Sequence, residues 1–463
     1  MPLFVFRTLS PVATTLLIEA LGAIVALDLE GVDESVTDAV RSAWRDAVAH
    51  GREPELVVSV AEIAAHAAST EQVLSDLSQR VTLEAITARK GELWMLHATG
   101  LALPDGRVIV LVGPSGRGKT TAARALGAHL GYVSDETVGI DRDGRVHPYR
   151  KPLSVIEGAG FKAQLAPSEL GLAPLPAVPL QVAAVVLLDR QADAADVPVV
   201  EPVDLGDAVD ELVTQTSFLA SMASPLQWLA ALLERTGGMR RVVYREAAAL
   251  HDVVDDLLAP GASTTWAPAA REATVASAGA YSRGEVQDAV ALAHPDRVVV
   301  LQPGDGAMGM VRVLGGIAPA LWDAADDARI DDLVDAAVAH FGAPEGQDVR
   351  ALVAQAVAEL VEVGALRRGE ERVWQVAPDV AWHGDHARVV VLDLAQDDVD
   401  VHALEGSAAV IWMALAEGGG TVDEISARVA EDAGVPALLL RDEVARFHEV
   451  LSAAGLVRYG SCT

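Results

Sequence analysis

Short apolar runs bounded by turn-forming residues alternate with Ala-rich stretches along this chain, and the alternation predicts strands followed by helices. The pattern is sharpest between residues 92 and 149. Glu92-Leu-Trp-Met-Leu-His97-Ala-Thr-Gly100 is an apolar run carrying one histidine. The turn Pro104-Asp105-Gly106 leads into Arg107-Val-Ile-Val-Leu-Val112, which reads as a buried strand. Lys119-Thr-Thr-Ala-Ala-Arg-Ala-Leu-Gly-Ala-His-Leu130 is Ala-rich and closed by Gly131, which predicts a helix over 119–130. Tyr132-Val-Ser-Asp135-Glu136 reads as a short strand ending in two carboxylates. The stretch from Thr137 to Tyr149 reads as a hairpin turned at Arg142-Asp143-Gly144.

A second pattern repeats in the C-terminal part, about 90 residues apart. Arg297-Val-Val-Val-Leu301 is echoed by Arg388-Val-Val-Val-Leu392. The segment from Val311 to Trp322 is echoed by that from Val401 to Trp412, Ile330–Leu333 by Val422–Ile425, and Leu360–Gly364 by Leu451–Gly455. Each copy reads as strand, turn, strand, then three amphipathic helices. Leu314, Gly316 and Trp322 in one copy, and Leu404, Gly406 and Trp412 in the other, would fix the strand-to-helix corner, with the tryptophans in the core.

The link between the first strand and its helix carries the chemistry. Gly113-Pro-Ser-Gly-Arg-Gly-Lys119-Thr120 is a full G-x-x-x-x-G-K-S/T sequence. A strand feeding a Gly-rich turn and a helix aims backbone N–H groups and a positive helix end at one spot, which suits a polyphosphate. Gly113, Ser115, Gly116, Gly118, Lys119, Thr120 and Thr121 are therefore the candidate ATP-binding residues. Lys119 would reach the β- and γ-phosphates, and the Thr120 hydroxyl would hold Mg²⁺. Phosphoryl transfer to an alcohol also needs a metal ligand and a proton acceptor, tasks that Asp135 and Glu136 could divide. A solvated acidic turn is the plain alternative for that pair. His97, read alone, is a strand-end histidine.

His97 followed by alanine, the loop reaching Lys119, and the pair Asp135-Glu136 together resemble HPr kinase/phosphorylase. The resemblance is closer to the HPr-kinase-related proteins of peptide natural-product gene clusters. It implies an α/β P-loop core of mixed sheet, akin to phosphoenolpyruvate carboxykinase, that transfers a γ-phosphoryl group to a serine hydroxyl. By that resemblance Asp135 is the proton acceptor, Lys119 and Thr120 handle phosphate and metal, Asp135 and Glu136 flank the metal, and His97 assists. The sequence departs from the pattern at Glu136, where these kinases carry Asp. It departs again at Glu157-Gly-Ala-Gly160, a weak counterpart of the later family signature. Pro148-Tyr-Arg-Lys-Pro-Leu-Ser154 does look like the related kinases, which makes Arg150 and Lys151 candidates to neutralise phosphate.

The repeat resembles PqqD, the peptide chaperone that typifies leader-peptide recognition in ribosomally made, modified peptides. Two small α+β, winged-helix-like units are implied. The second strands (311–314 and 401–404) and third helices (349–363 and 440–454) would form grooves that capture an extended leader by strand addition. Many winged-helix units bind DNA, but acidic residues outnumber basic ones in both copies, the wrong sign for a DNA face.

The expected layout is an N-terminal α/β region (1–74), a P-loop kinase-like domain (75–258), a Pro/Gly/Ser/Thr-rich linker (259–280), and PqqD-like units at 281–372 and 380–460. A net charge of −31 over 463 residues argues against nucleic acid and anionic membranes as partners. The apolar share is dominated by Ala and Val, and no run is long enough to span a membrane. The single cysteine, Cys462, fits a cytoplasmic protein without disulfides. The expected activity is ATP- and Mg²⁺-dependent phosphorylation of a Ser or Thr hydroxyl on a precursor peptide, with other peptide-modifying enzymes as further partners. The alternatives are a non-catalytic leader-binding scaffold and a chaperone ATPase.

Overall fold

The computed structural model describes residues 14–461 except 115, 156–161, 262–264, 270–272, 294–295, 305–308, 370–371 and 395–400. Ser115, the Glu157–Gly160 segment and Cys462 therefore lie outside the described residues. The chain divides into two compact units, residues 1–272 with 285–319 and residues 273–284 with 320–463.

The first unit opens with an antiparallel hairpin of β1 (Thr15–Ala20) and β2 (Ala23–Asp28). Helix α1 (Glu34–Ala43) follows, and β3 (Leu56–Ser59) then pairs in parallel with β2. Helix α2 (Thr70–Ala88) covers this sheet, and Val73, Leu74, Leu77, Val81 and Ala85 enter the same core as Ile18, Leu27 and Trp44. The expected boundary at 74 thus falls inside a helix, because the apolar stripe of α2 needs the N-terminal sheet to cover it.

The central sheet comprises β4 (Ala98–Ala102), β5 (Arg107–Val112), β6 (Gly131–Ser134), β7 (Gln181–Arg190), β8 (Val199–Val203) and β9 (Met239–Tyr244), in the order β8-β9-β7-β5-β4-β6. Strands β5, β7 and β9 are mutually parallel, and β4 is antiparallel to β5 and β6. Both faces of β5 are buried, which is why its apolar run is continuous. Val108, Val110 and Val112 face a core shared with α4 (Leu205–Thr214) and α5 (Pro225–Arg235). Ile109 and Leu111 face a second core with Ala122 and Leu126 of α3 (Lys119–Gly127). Each such side chain gains roughly 1.5–3 kcal/mol from burial. The expected helix 119–130 ends earlier, at Gly127, while the N–H groups of His129 and Leu130 still bond to the Leu126 carbonyl.

The apolar run around His97 is not one strand. Trp94–Leu96 pairs with Val138–Ile140 in a separate four-stranded sheet, whereas Ala98 onward belongs to the central sheet. His97 stands where the chain passes from one sheet to the other. The hairpin expected after residue 137 is present, with Val138–Ile140 paired to Val146–His147.

The strands of the first repeat also belong to this unit. Strands β10 (Trp266–Pro268), β11 (Asp288–Leu292), β12 (Arg297–Gln302) and β13 (Met310–Leu314) form a sheet in that order. Val290, Leu292, Val299 and Leu301 share a core with Leu226, Leu229 and Leu233 of α5. The stretch expected as a linker therefore supplies β10, an edge strand where Pro268 is tolerated. The buried Asp288 carboxylate accepts the N–H groups of Leu226 at 2.7 Å and Gln227 at 3.2 Å, capping α5. Arg297 is ion-paired with Asp204 and Asp207 at the start of α4.

The second unit contains α6 (Ile330–Phe341) and α7 (Val349–Glu362). Strand β14 (Arg372–Val376) follows, then a sheet of β15 (Val380–Gly384), β16 (Arg388–Asp393) and β17 (Val401–Glu405) in sequence order. After these come α8 (Ser407–Ala416), α9 (Val422–Ala433), α10 (Arg441–Ala453) and β18 (Val457–Ser461), which pairs with β14. Thr421 and Glu424 exchange hydrogen bonds as a capping box at the start of α9. Trp412 is fully buried among Val389, Val391, Leu415 and Leu451, the core position its repeat suggests. Gly316 and Gly406 turn the two strand-to-helix corners at φ 60° and 63°. Among the described residues no helix is long and apolar enough to cross a membrane.

Candidate functional site

The C-terminal ends of β5, β6 and β7 and the N-terminal end of β4 meet at one edge of the central sheet. Parallel strands flanked by helices leave their loops free at that edge, where ligands of such sheets commonly bind. The Gly113–Lys119 turn leaves β5 and enters α3 there. Gly116 and Gly118 adopt φ of 83° and 90°. A Cβ on Gly118 would meet the Tyr244 hydroxyl at 2.9 Å, so the turn is held against the end of β9 and only glycine fits. The Tyr244 hydroxyl donates to the Arg117 carbonyl at 2.9 Å, fixing the turn from outside.

Lys119 is 7% exposed, and its amine donates to the Gly113 carbonyl at 2.5 Å, folding back over the turn. Burial lowers its pKa, against the pull of the Asp135 charge. On the opposite side Ser134 ends β6, and its hydroxyl accepts the N–H groups of Glu136 at 3.3 Å and Thr137 at 3.2 Å. That small turn projects Asp135 and Glu136. The Asp135 carboxylate accepts from the Tyr132 hydroxyl at 2.7 Å, and burial with the nearby carboxylate raises the phenol's pKa well above its ordinary value. Nδ1 of His97 lies 2.9 Å from the Glu136 carbonyl, which can only accept, so Nδ1 carries the proton and Nε2 is left with its lone pair. Burial, then the Lys119 charge, holds the His97 pKa below the ordinary histidine value.

These groups share one cavity of about 460 Å³. His97, Gly116, Gly118, Lys119, Thr120 and Thr121 line it together with Asp135 and Glu136. Gly113 does not line it, and contributes its carbonyl to Lys119 instead. Ser154, which closes the Pro148–Ser154 segment, also reaches the cavity, as do Lys162 and Arg190, which nothing in the local sequence marks; they arrive from the antiparallel pair 153–155 and 163–165 and from the end of β7.

Two neighbouring cations take different roles. Lys151 lines the cavity and is ion-paired with the Glu136 carboxylate. Arg150 turns inward and donates to the carbonyls of Tyr132 at 3.0 Å and Ala173 at 3.1 Å, as a strut beneath β6 rather than a phosphate ligand. Among the described residues no group of three or more His, Cys, Asp or Glu side chains converges as a self-contained metal cage. Thr120 and Asp135 are hard oxygen donors of the kind magnesium accepts when phosphate and water complete its shell. Glu136 is held by Lys151, so it would have to exchange that partner to bind a metal.

Comparison with known proteins assigns the other end of the chain. Residues 388–457 match the family of coenzyme PQQ synthesis protein D (PqqD). No curated protein matches the chain. The match runs from the start of β16 to the start of β18 and takes in α8, α9 and α10. The kinase resemblance of residues 75–258 and the PqqD resemblance of the first repeat have no counterpart in these comparisons. The protein is a mixed α/β chain that carries a PqqD domain at its C-terminal end.

Proposed function

We propose that this protein is an ATP-dependent phosphotransferase that acts on a Ser or Thr hydroxyl of a ribosomally synthesised precursor peptide, with the PqqD domain holding the leader. The observation that carries the reading is the convergence of Lys119, Thr120, Asp135 and His97 on one cavity at the mouth of the Gly113–Thr120 turn. The first N–H groups of α3 and the Lys119 ammonium would hold the phosphates and offset the charge of the transferring group. Asp135, oriented by Tyr132, would take the acceptor proton as the new O–P bond forms and the bond between the γ-phosphoryl group and the leaving diphosphate breaks. The neutral His97 imidazole would steer the acceptor without adding charge. Magnesium, bound through Thr120, Asp135 and the phosphates, would supply charge neutralisation.

Strand β17 is the peptide-accepting edge on this reading. It ends its sheet, and Val401 at its start is 63% exposed. By register Val401 corresponds to Val311, since each faces the repeated leucine of its central strand, Leu392 or Leu301. Val311 and Val313 instead pack on the core shared with α5, so the side chains of the outer strand of the first repeat are committed to structure. Ala381 stands at the register position of Asp288, so the second copy has no carboxylate where the first caps α5.

A leader-binding scaffold without catalysis is the second reading. The ion pair of Glu136 with Lys151 favours it, because that pair withdraws one expected metal ligand. Mass spectrometry of the precursor peptide after incubation with protein and Mg·ATP separates the two. A gain of one phosphate that is lost in Lys119→Ala and Asp135→Asn supports the transferase. Leader binding with no modification supports the scaffold, and phosphate release without peptide modification supports a chaperone ATPase.

A further inference from the structure

A second cavity of about 600 Å³ opens on the other side of the Gly113–Thr120 turn, lined by Gly116, Arg117, Arg190, Ala192, Arg245 and Glu246. Its floor is the end of β7, where Arg190 is the last residue, and the end of β9, where Arg245 and Glu246 follow Tyr244. Gly116 and Arg190 line both this cavity and the one holding Asp135. The strand order explains the arrangement. Strand β5 carries the turn in the middle of the sheet, β4 and β6 carry His97 and Asp135 on one side, and β7 and β9 carry the arginines on the other.

Resting on the phosphate-binding reading above, we propose that this second cavity takes the nucleoside half of the nucleotide. A triphosphate whose reactive end lies beside Asp135 and whose chain follows the turn must leave the turn over β7 and β9, since that is the only other side of β5. In a chain of net charge −31, the lining of this cavity carries three guanidiniums against one carboxylate. Their ion-pair partners are rim carboxylates, and Arg190 also donates to the Arg245 carbonyl at 3.0 Å and Arg117 to the Arg190 carbonyl at 3.3 Å. Arg117 is 3.5 Å from Asp189, Arg190 is 3.9 Å from Glu246, and Arg245 is paired with Asp196. The three guanidiniums are exposed and their ion pairs are long or one-sided, so a ligand exchanges with the carboxylates at little cost. Arg190, at the junction of the cavities, contacts the inner phosphates. The Arg245 guanidinium offers a flat cationic face to an aromatic base, and the Glu246 carboxylate can accept a ribose hydroxyl.

Calorimetric titration of the full chain with Mg·ATP and with magnesium tripolyphosphate tests this, because the second probe has the phosphates and no nucleoside. The wild type is expected to bind ATP more tightly than tripolyphosphate. Arg245→Ala should weaken ATP about tenfold and leave tripolyphosphate unchanged, whereas Arg190→Ala should weaken both. Both side chains are exposed, so an unchanged melting temperature serves as the folding control. Equal wild-type affinities for the two probes, or an Arg245→Ala variant with unaltered ATP binding, would overturn the nucleoside site and leave the phosphate turn standing. A wild type that binds neither probe overturns both.

Discussion

Asp135 illustrates how one residue's role depends on what lies behind it. Its carboxylate would be an ordinary surface acid but for Tyr132, whose buried hydroxyl donates to it and fixes its direction. Asp135→Asn keeps that hydrogen bond and removes the proton acceptor. Phosphotransfer should fall about 10²–10⁴-fold, a larger loss than the weakening of Mg·ATP that follows from the lost metal ligand, measured by single-turnover kinetics and calorimetry. A loss of ATP binding of the same size would place Asp135 in binding rather than proton transfer. His448 is the corresponding case in the PqqD domain. It is fully buried beside the Trp374 ring, its Nδ1–H is given to the Val444 carbonyl at 2.7 Å, and its Nε2 has no partner. Burial lowers its pKa from 6.5, so protonation is harder in the folded than in the unfolded state. Stability should be full above about pH 6.5. It should then fall by up to about 1.4 kcal/mol per pH unit as pH drops through the window down to the lowered folded value. Chemical denaturation between pH 5 and 8 measures it, and His448→Gln should flatten the slope (the pH range is about that of histidine titration).

At the scale of elements, two pieces of similar sequence are placed differently by a few side chains. The four-stranded sheet of β10 to β13 is held to α5 by the Asp288 carboxylate and to the start of α4 by Arg297. Asp288→Ala removes a helix cap and leaves buried N–H groups without an acceptor, a loss of about 2–3 kcal/mol. The melting temperature of the full chain should fall by several degrees, whereas Arg388→Ala, at the exposed counterpart of Arg297, should leave it unchanged. The repeat itself was legible, since Arg297-Val-Val-Val-Leu301 and Arg388-Val-Val-Val-Leu392 both form central strands. What the first copy packs against was not legible, because the partners of Asp288 and Arg297 lie more than 60 residues away in the sequence. The division of the apolar run at His97 was likewise not legible. Periodicity reports burial but cannot say that Trp94–Leu96 and Ala98–Ala102 join different sheets.

The whole molecule joins a candidate phosphate site in one compact unit to a PqqD domain in the other. The two should be separable by substitution, because the residues named for each belong to different compact units. Val401→Glu should lower leader affinity about tenfold or more and leave ATP affinity unchanged, while Lys119→Ala should do the reverse, each read by calorimetry on the full chain. Coupled losses would show that leader and nucleotide share one site. The sequence by itself determined the strand–turn–helix around Gly113–Thr120, the hairpin after residue 137, and the corner positions of both repeats. Each of these is specified by neighbours within a few residues, through glycine torsions, helix propensity or alternating burial. Only the tertiary structure decided that His97 and Asp135 share a cavity with Lys119, that Lys151 occupies Glu136, that Arg150 is a strut, and that the strands of the first repeat are built into the core. Those outcomes depend on which strand ends meet at the sheet edge and which charges are left to pair there, contacts between residues that lie far apart along the chain.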